Sequence, residues 1–112
     1  MKAVFVKLPA FQRYRERYLD DVAYANFQRL LLHQPYAGDV MAATGGLRKV
    51  RFLHSRKGAG KRGGLRLIYY YWSQGDQFWL FTLYDKNEVE DLLISERMAL
   101  ARFLRHEIEA RT

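Results

Sequence analysis

The spacing of hydrophobic residues changes period several times along the chain, and each change predicts a new element. Residues 2–8 are rich in Val and Phe and precede Pro9, a pattern typical of a short strand. Apolar residues then recur three and four positions apart, which indicates a helix. They are Phe11, Tyr14 and Tyr18. A second helix is predicted to begin at an N-cap, Asp20 or Asp21, and to end before Pro35.

The second half of the chain favours strands and then one more helix. Loops are predicted at residues 38–46 and 54–64, the latter basic and rich in glycine. The predicted strands are residues 47–53, 65–72 and 78–84, and the run at 65–72 is apolar almost throughout, as in a strand buried on both faces. Ser95 is the predicted N-cap of a terminal helix. The apolar stripe of that helix consists of Met98, Ala101, Leu104 and Ile108.

The predicted element order is β-α-α-β-β-β-α. It indicates an α+β fold, with a small antiparallel-rich sheet, an N-terminal helical hairpin and a C-terminal helix that pack on that sheet. Because the chain has 112 residues and no internal repeat or linker, residues 1–112 are expected to form one domain.

The composition excludes several kinds of site and several locations for the protein. The chain has no cysteine, which excludes a disulfide framework and a thiolate zinc site. Lys7 and Pro9 interrupt the N-terminal apolar segment, so no signal peptide is expected. No apolar stretch approaches the roughly 20 residues that span a bilayer. We expect a soluble, cytoplasmic protein with no membrane partner, no metal ion and no organic cofactor.

The positive charge is concentrated in one segment. The formal net charge is +7, and no Asp or Glu occurs between Val40 and Gly75. Eight of the 19 Lys and Arg residues lie there, and the remaining 11 are balanced by 12 Asp and Glu residues. These eight are Arg48, Lys49, Arg51, Arg56, Lys57, Lys61, Arg62 and Arg66. Such a segment indicates a polyanionic partner.

Three features of this region are candidates for chemistry. Arg66 lies in an otherwise apolar run, so it either pairs with a carboxylate or faces an anion at the sheet edge. Residues 56–64 combine glycines with Lys and Arg, which is typical of phosphate contact or simply of a solvated loop. Residues 84–88 (YDKNE) end a strand and serve either as a turn or as part of a site. Antiparallel pairing is expected to bring Lys49, Arg51, Arg66 and Lys86 together without evident acidic partners, an arrangement that an anion would complete.

The order of these parts resembles the RelE/HigB toxins of toxin–antitoxin systems. The resemblance lies in residues 45–51 (GGLRKVR), 61–70 (KRGGLRLIYY) and 82–88 (TLYDKNE). Residues 4–6 (VFV), the helical hairpin and residues 38–40 (GDV) are similar to the HigB branch. The resemblance implies a RelE-like fold and a ribosome-dependent mRNA endoribonuclease, or mRNA interferase. It also implies three partners: mRNA in the ribosomal decoding site, ribosomal RNA, and a cognate antitoxin of the helix-turn-helix, HigA-like kind.

The implied reaction is attack of a ribose 2′-OH on the adjacent phosphate, which leaves a 2′,3′-cyclic phosphate. The candidate catalytic residues are Lys49, Arg66, Lys86 and Lys61. Lys49 is the preferred base, because neighbouring positive charges help a lysine to lose its proton, and Lys86 or Lys61 is the alternative. Arg66 is assigned to the phosphate, and the resemblance suggests that it also protonates the leaving oxygen. The candidate RNA or ribosome contacts are Arg48, Arg51, Lys57, Arg62, Asn87 and Tyr84, the last by stacking on a base.

The chain departs from that family at two points. Asp85 stands where the family commonly has Gly, which places an acid beside Lys86, and no Tyr follows Tyr84 to match the C-terminal catalytic Tyr of some relatives. The three histidines, His33, His54 and His106, form no recognisable catalytic pair. Two other functions therefore stay open: a module that binds RNA or the ribosome without cutting, and a basic surface that docks an acidic protein.

Overall fold

The computed structural model describes residues 2–56 and 60–112, with side chains outside residues 54–63. Within these residues the chain forms a mixed α+β fold of three helices and five strands. The elements are β1 (Val4–Lys7), α1 (Pro9–Tyr18), α2 (Asp21–His33), β2 (Asp39–Val40), β3 (Arg48–Arg56), β4 (Gly60–Trp72), β5 (Gln77–Asp85) and α3 (Ile94–Arg111). The predicted α+β class, the N-terminal pair of helices and the C-terminal helix are confirmed.

The five strands form one sheet in the order β1-β5-β4-β3-β2. The antiparallel meander of β3, β4 and β5 agrees with the prediction, and β1 adds a parallel strand beside β5. The strand β2 was not predicted, because residues 38–46 were expected to form a loop. With only two residues, paired to Lys49 and Arg48 of β3, it is too short to produce an alternating pattern in the sequence.

The hairpin between β3 and β4 is longer than the sequence predicted. Residues 54–64 were expected to be a loop, but β3 continues to Arg56 and β4 begins at Gly60, with His54 opposite Arg62. The prediction was wrong because glycine and charged residues disfavour strands by composition, whereas the ladder needs only backbone N–H and C=O groups. A register shift between Phe52 and His54 marks where the apolar part of β3 ends.

The helices cover both faces of the sheet. On the first face, which we call the hairpin face, α1 and α2 bury Phe11 and Phe27 against a core that includes Leu67. On the second, the α3 face, Leu104 packs with a core that includes Trp79 and Ile68. Because successive strand residues alternate between faces, residues 65–72 of β4 and 78–84 of β5 are apolar almost throughout, as predicted for the run at 65–72. None of the described helices is long and apolar enough to cross a bilayer.

Of the predicted N-caps of α2 and α3, the structure confirms the first and contradicts the second. Asp20 caps α2, and its Oδ1 accepts a hydrogen bond from the Ala23 N–H at 2.7 Å. Ser95, the predicted cap of α3, lies inside the helix, because Leu93 is the N-cap residue. The Glu96 Oε1 accepts from the Leu93 N–H at 2.8 Å, so a carboxylate in the first turn satisfies the N–H of the N-cap residue. Met98 is 55% exposed and does not belong to the buried stripe of α3.

Candidate functional site

The predicted cations of β3 and β4 lie side by side on the α3 face. Lys49 and Arg51 are two residues apart on β3 and therefore share a face. In the register of the sheet, Arg51 is directly opposite Arg66, and Arg66 is directly opposite Tyr84 on β5. Directly opposed residues of antiparallel strands project to the same side. We call this group, Lys49, Arg51, Arg66 and Tyr84, the basic face.

An open pocket of about 420 Å³ lies beside the basic face. Three of its lining residues are the predicted cations Lys49, Arg51 and Arg66, and the others are Gly38, Asp39 and Val50. Gly38 has a φ of +81°, and a Cβ there would overlap the Lys49 carbonyl. The close pairing of β2 with β3 therefore requires a glycine, and it brings the 38–39 segment to the rim of the pocket.

Asp91, from the segment between β5 and α3, lies among these cations. Its Oδ1 accepts a hydrogen bond from the Tyr84 hydroxyl at 3.2 Å and lies 3.6 Å from the Lys49 Nζ. Its Oδ2 lies 3.9 Å from Nη2 of Arg97, on α3. The expectation that the cations lack acidic partners is therefore wrong for Lys49. Lys49 and Asp91 are 42 positions apart, so no local pattern in the sequence reports their contact.

The charge states of Tyr84 and Asp91 follow from these surroundings. Burial, followed by the charge and hydrogen bond of Asp91, raises the pKa of Tyr84 to about 12, although Arg66 and Arg97 oppose the shift. The phenol is therefore a neutral hydrogen-bond donor at physiological pH. The backbone N–H of Leu92, together with Lys49 and Tyr84, holds the pKa of Asp91 below its usual value. Asp91 is therefore an anion at the same pH.

The Tyr84 ring does not fit the role of stacking on a base. Tyr84 is only 7% exposed, and its ring packs in the core of the α3 face. The hydroxyl is the part of Tyr84 that takes part in the site, through its bond to Asp91. The aromatic–cation pattern in the sequence does not distinguish a stacking tyrosine from a core tyrosine whose hydroxyl reaches the surface.

The residues after β5 form a tight turn. Lys86 is exposed, and its N–H donates to the Gly64 carbonyl at 2.7 Å. Asp85 is buried, and its Oδ1 accepts from the Asn87 N–H at 2.8 Å. The acid that the sequence placed beside Lys86 is thus directed to the backbone of the turn. Asn87 packs against Gly64, where a Cβ would lie 2.9 Å from the Asn87 Nδ2.

The other predicted contacts do not join the basic face in the described part of the chain. Arg48 alternates with Lys49 and lies on the hairpin face, where its guanidinium stands 5.5 Å from the Tyr36 ring and donates to the Gly38 carbonyl at 3.2 Å. Lys57 lies outside the described residues. Lys61 and Arg62 belong to β4, but their side chains lie outside the described part.

Sequence reasoning missed two residues of this site, Asp91 and Arg97. Asp91 ends a polar run after β5, and Arg97 lies in the second turn of α3, so neither stands out by spacing. Among the described residues, no group of three or more His, Asp or Glu side chains is arranged to hold a metal ion. In the part of the chain that the structure describes, the site thus combines cations with the carboxylates of Asp39 and Asp91 and with one phenol.

No family model matches the chain. Its fold is similar to the solved structure of the E. coli toxin RelE in the free state, a variant with two Arg-to-Ala substitutions. The match has a TM-score of 0.50 with 13% sequence identity, and it covers 80% of this chain and 90% of the RelE chain. The fold is therefore RelE-like.

Proposed function

We propose that this chain is the toxin of a toxin–antitoxin pair, of the HigB-like branch, and that it inhibits translation by cutting mRNA in the ribosomal decoding site. The observation that carries the proposal is the convergence of Lys49, Arg51 and Arg66 on one pocket of a RelE-like sheet. Cations from separate strands at one open pocket suit a phosphodiester, whose negative charge increases in the transition state.

The proposed reaction needs no group beyond RNA and side chains. The 2′-oxygen forms a bond to the adjacent phosphorus, the bond from phosphorus to the 5′-oxygen breaks, and the products are a 2′,3′-cyclic phosphate and a 5′-hydroxyl end. One group takes the 2′-OH proton and another returns a proton to the leaving 5′-oxygen. Lys49, Lys86 and Lys61 are the candidates for the base.

Arg66 is the proposed contact to the phosphate. It stands opposite Arg51 in the register, so two guanidinium groups lie on neighbouring strands, and together they would share the oxygens of a phosphorane. Burial keeps the Tyr84 hydroxyl neutral, so it would donate a hydrogen bond and would not act as a base. The contact of Lys49 with Asp91 is long and partly exposed, and such pairs contribute little net energy. Lys49 therefore stays available to RNA.

The partners follow from the same proposal. They are mRNA and ribosomal RNA in the cytoplasm, and a cognate antitoxin of the helix-turn-helix, HigA-like kind. The ribosome is required in this scheme because the site has no histidine pair among its described residues and therefore depends on precise placement of the substrate. Free mRNA should be cut poorly.

The test is induction of the chain without its antitoxin, followed by mapping of mRNA 5′ ends. We expect growth arrest and new ends within translated mRNA. Arg66→Ala should abolish both, because it removes the phosphate contact, while circular dichroism shows a folded protein. Arg29→Ala is the matched control: it removes the same charge from α2 on the hairpin face, where Arg29 contacts Asn26, and should remain toxic. A folded, expressed Arg66→Ala variant with full toxicity would contradict the assignment.

The second candidate function is a module that binds RNA or the ribosome without cutting. The neutral Tyr84 and the absence of a histidine pair from the described site favour it, because neither supplies a strong base. Growth arrest without new mRNA ends, lost again in Arg66→Ala, would identify this function. Efficient cutting of purified mRNA would exclude it and also exclude the need for the ribosome.

A further inference from the structure

The groups that contact Asp91 form an anion-binding site, and the carboxylate of Asp91 itself occupies it. A hydroxyl donor, an ammonium and a guanidinium from three different elements surround one carboxylate. They are Tyr84 of β5, Lys49 of β3 and Arg97 of α3. Hydroxyl, Lys and Arg groups are also the usual partners of phosphate oxygens. The same three side chains would therefore hold a phosphate in the place of the carboxylate.

The carboxylate is held loosely by its two cations. Close charge-assisted hydrogen bonds have lengths of about 2.7–2.9 Å, whereas Asp91 lies 3.6 Å from Lys49 and 3.9 Å from Arg97. The Asp91 side chain is 49% exposed, and those of Lys49 and Arg97 are 31% and 33% exposed. An exposed pair of this geometry contributes little to stability. A second anion can therefore displace the carboxylate at small cost.

Arg97 adds a cation to the basic face from outside the sheet. Its positive charge acts on the Tyr84 phenol together with that of Arg66, so both guanidinium groups stand near that hydroxyl. The Arg97 Nε is buried and has no hydrogen-bond partner in the part of the chain that the structure describes. A buried donor without a partner is unfavourable. A phosphate in the place of the Asp91 carboxylate would offer the Arg97 Nε an acceptor.

The segment that carries Asp91 has an independent anchor. The N–H groups of Glu88 and Val89 both donate to the Asp85 carbonyl at 2.9 Å, and Glu88 also forms an exposed ion pair with Arg17 of α1. Release of Asp91 therefore leaves the turn attached through these backbone hydrogen bonds and requires no change in β5 or α3. Rotation of a single exposed side chain is sufficient to open the site.

We propose that Lys49, Tyr84 and Arg97 form a binding site for an RNA backbone phosphate, and that the Asp91 carboxylate occupies this site in the free protein until RNA displaces it. This inference rests on the proposed function for the identity of the ligand as RNA. It uses Lys49 as an ammonium, which leaves the role of base to Lys86 or Lys61. Arg97 becomes an RNA-binding residue of α3, and Asp91 becomes a competitor of the substrate.

The test measures binding of a short 2′-O-methyl RNA by fluorescence anisotropy. Because this RNA lacks the 2′-OH, it cannot be cut, and binding is separated from catalysis. Asp91→Asn removes the competing charge and should tighten binding about threefold to fivefold, the range that an exposed ion pair supports. Asp21→Asn is the matched control: it makes the same change in net charge and removes an ion pair with Arg15, far from the site. It should alter binding much less.

Arg97→Gln tests the other half of the proposal. It should weaken binding severalfold, and the loss should be larger in the Asp91→Asn background, where RNA reaches the site without competition. Arg102→Gln removes the same charge from an exposed position of the same helix and should change binding little. Equal effects of Arg97→Gln and Arg102→Gln would overturn the assignment of Arg97.

Displacement of Asp91 has a direct readout. The Leu92 N–H donates to the Asp91 Oδ1 at 2.8 Å, so its amide resonance reports the position of the carboxylate. Saturating RNA should move this resonance of the wild-type protein toward its position in free Asp91→Ala, which has no side-chain acceptor for this N–H. An unchanged Leu92 resonance, weaker or unaltered binding by Asp91→Asn, or no saturable binding by either protein would overturn the inference.

The outcomes also separate this inference from the proposed function. Tighter RNA binding by Asp91→Asn, combined with no new mRNA ends in cells, would support the phosphate site and remove the nuclease. New mRNA ends in cells, combined with no effect of Asp91→Asn on binding, would support the nuclease and remove the competing role of Asp91.

Discussion

At the scale of single residues, Tyr69 and Tyr84 show how the two faces of the sheet use a buried phenol differently. Tyr84 directs its hydroxyl to Asp91 at the edge of the α3 face. Tyr69 lies in the core of the hairpin face, where its hydroxyl is 2.7 Å from the Ala37 carbonyl oxygen and 3.1 Å from that of Pro35. Burial raises the pKa of Tyr69 to about 12, against the opposing effect of Arg48. Tyr69 is thus a structural donor, whereas Tyr84 is a donor to the site.

Tyr69→Phe is expected to destabilise the protein. The substitution removes the one O–H that the Pro35 and Ala37 carbonyls share, and a buried acceptor without a partner costs about 1–3 kcal/mol. We expect the free energy of unfolding in urea to fall by about that amount at pH 7. Tyr84→Phe is the comparison, because its acceptor Asp91 is exposed to water, and its cost should stay below about 1 kcal/mol.

Tyr69→Phe is also expected to change how the stability of the protein depends on alkaline pH. The folded-state pKa of Tyr69 lies above the ordinary value of 10, so its contribution to stability is complete below pH 10 and is lost as the pH rises toward 12. Tyr69→Phe should therefore show a smaller loss of stability across this interval than the wild-type protein. Equally steep losses in the two proteins would contradict the burial of this phenol.

At the scale of elements, the regular parts of the sheet follow from the sequence, and the irregular parts do not. The alternation at 47–53 and the apolar runs at 65–72 and 78–84 predicted the meander, because period-2 spacing and burial on both faces are local signals. The strand β2 and the extension of β3 and β4 into residues 54–56 and 60–64 were missed. Their pairing depends on a neighbouring strand rather than on their own composition.

In the site, too, the residues on regular strands were predictable and those outside them were not. The grouping of Lys49, Arg51 and Arg66 was predictable, because antiparallel neighbours joined by short turns must lie side by side. Asp91 and Arg97 were not predictable, since the contacts of Asp91 with Lys49 and with Arg97 depend on how the segment after β5 crosses the end of the sheet. Tertiary contacts between residues far apart in the chain leave no periodic signal.

Gly38→Ala is expected to disturb β2 and the position of Lys49. Alanine at a φ of +81° is strained by about 1 kcal/mol, and its Cβ would also meet the backbone of Lys49 and Val50. We expect a loss of stability of about 2–3 kcal/mol in urea denaturation, together with weaker RNA binding. Gly45→Ala is the control, because Gly45 has the same φ but its Cβ would lie 3.8 Å from the Leu104 side chain. It should cost only the backbone strain.

At the scale of the whole molecule, the distribution of charge matters more than its sum. The net charge is +7, and the acid-free segment from Val40 to Gly75 supplies all of the excess. This segment forms β3, β4 and their connections, so the excess charge belongs to one side of the sheet order, away from β1. At physiological ionic strength, charges act over about 8 Å. Only cations near the bound RNA should therefore contribute to its affinity.

This locality leads to a prediction about salt dependence. A cation that contacts an RNA phosphate releases counterions on binding, and each such contact adds about 0.7 to the slope of log affinity against log salt for a single strand. Arg51, exposed on the basic face and opposite Arg66, should be such a contact. Arg51→Gln should therefore lower the slope by about 0.7, measured with the 2′-O-methyl RNA between about 50 and 200 mM NaCl. Arg29→Gln removes an equal charge on the hairpin face and should leave the slope unchanged. If both variants lowered the slope equally, the affinity would come from the overall charge of the protein, and the basic face would lose its special role.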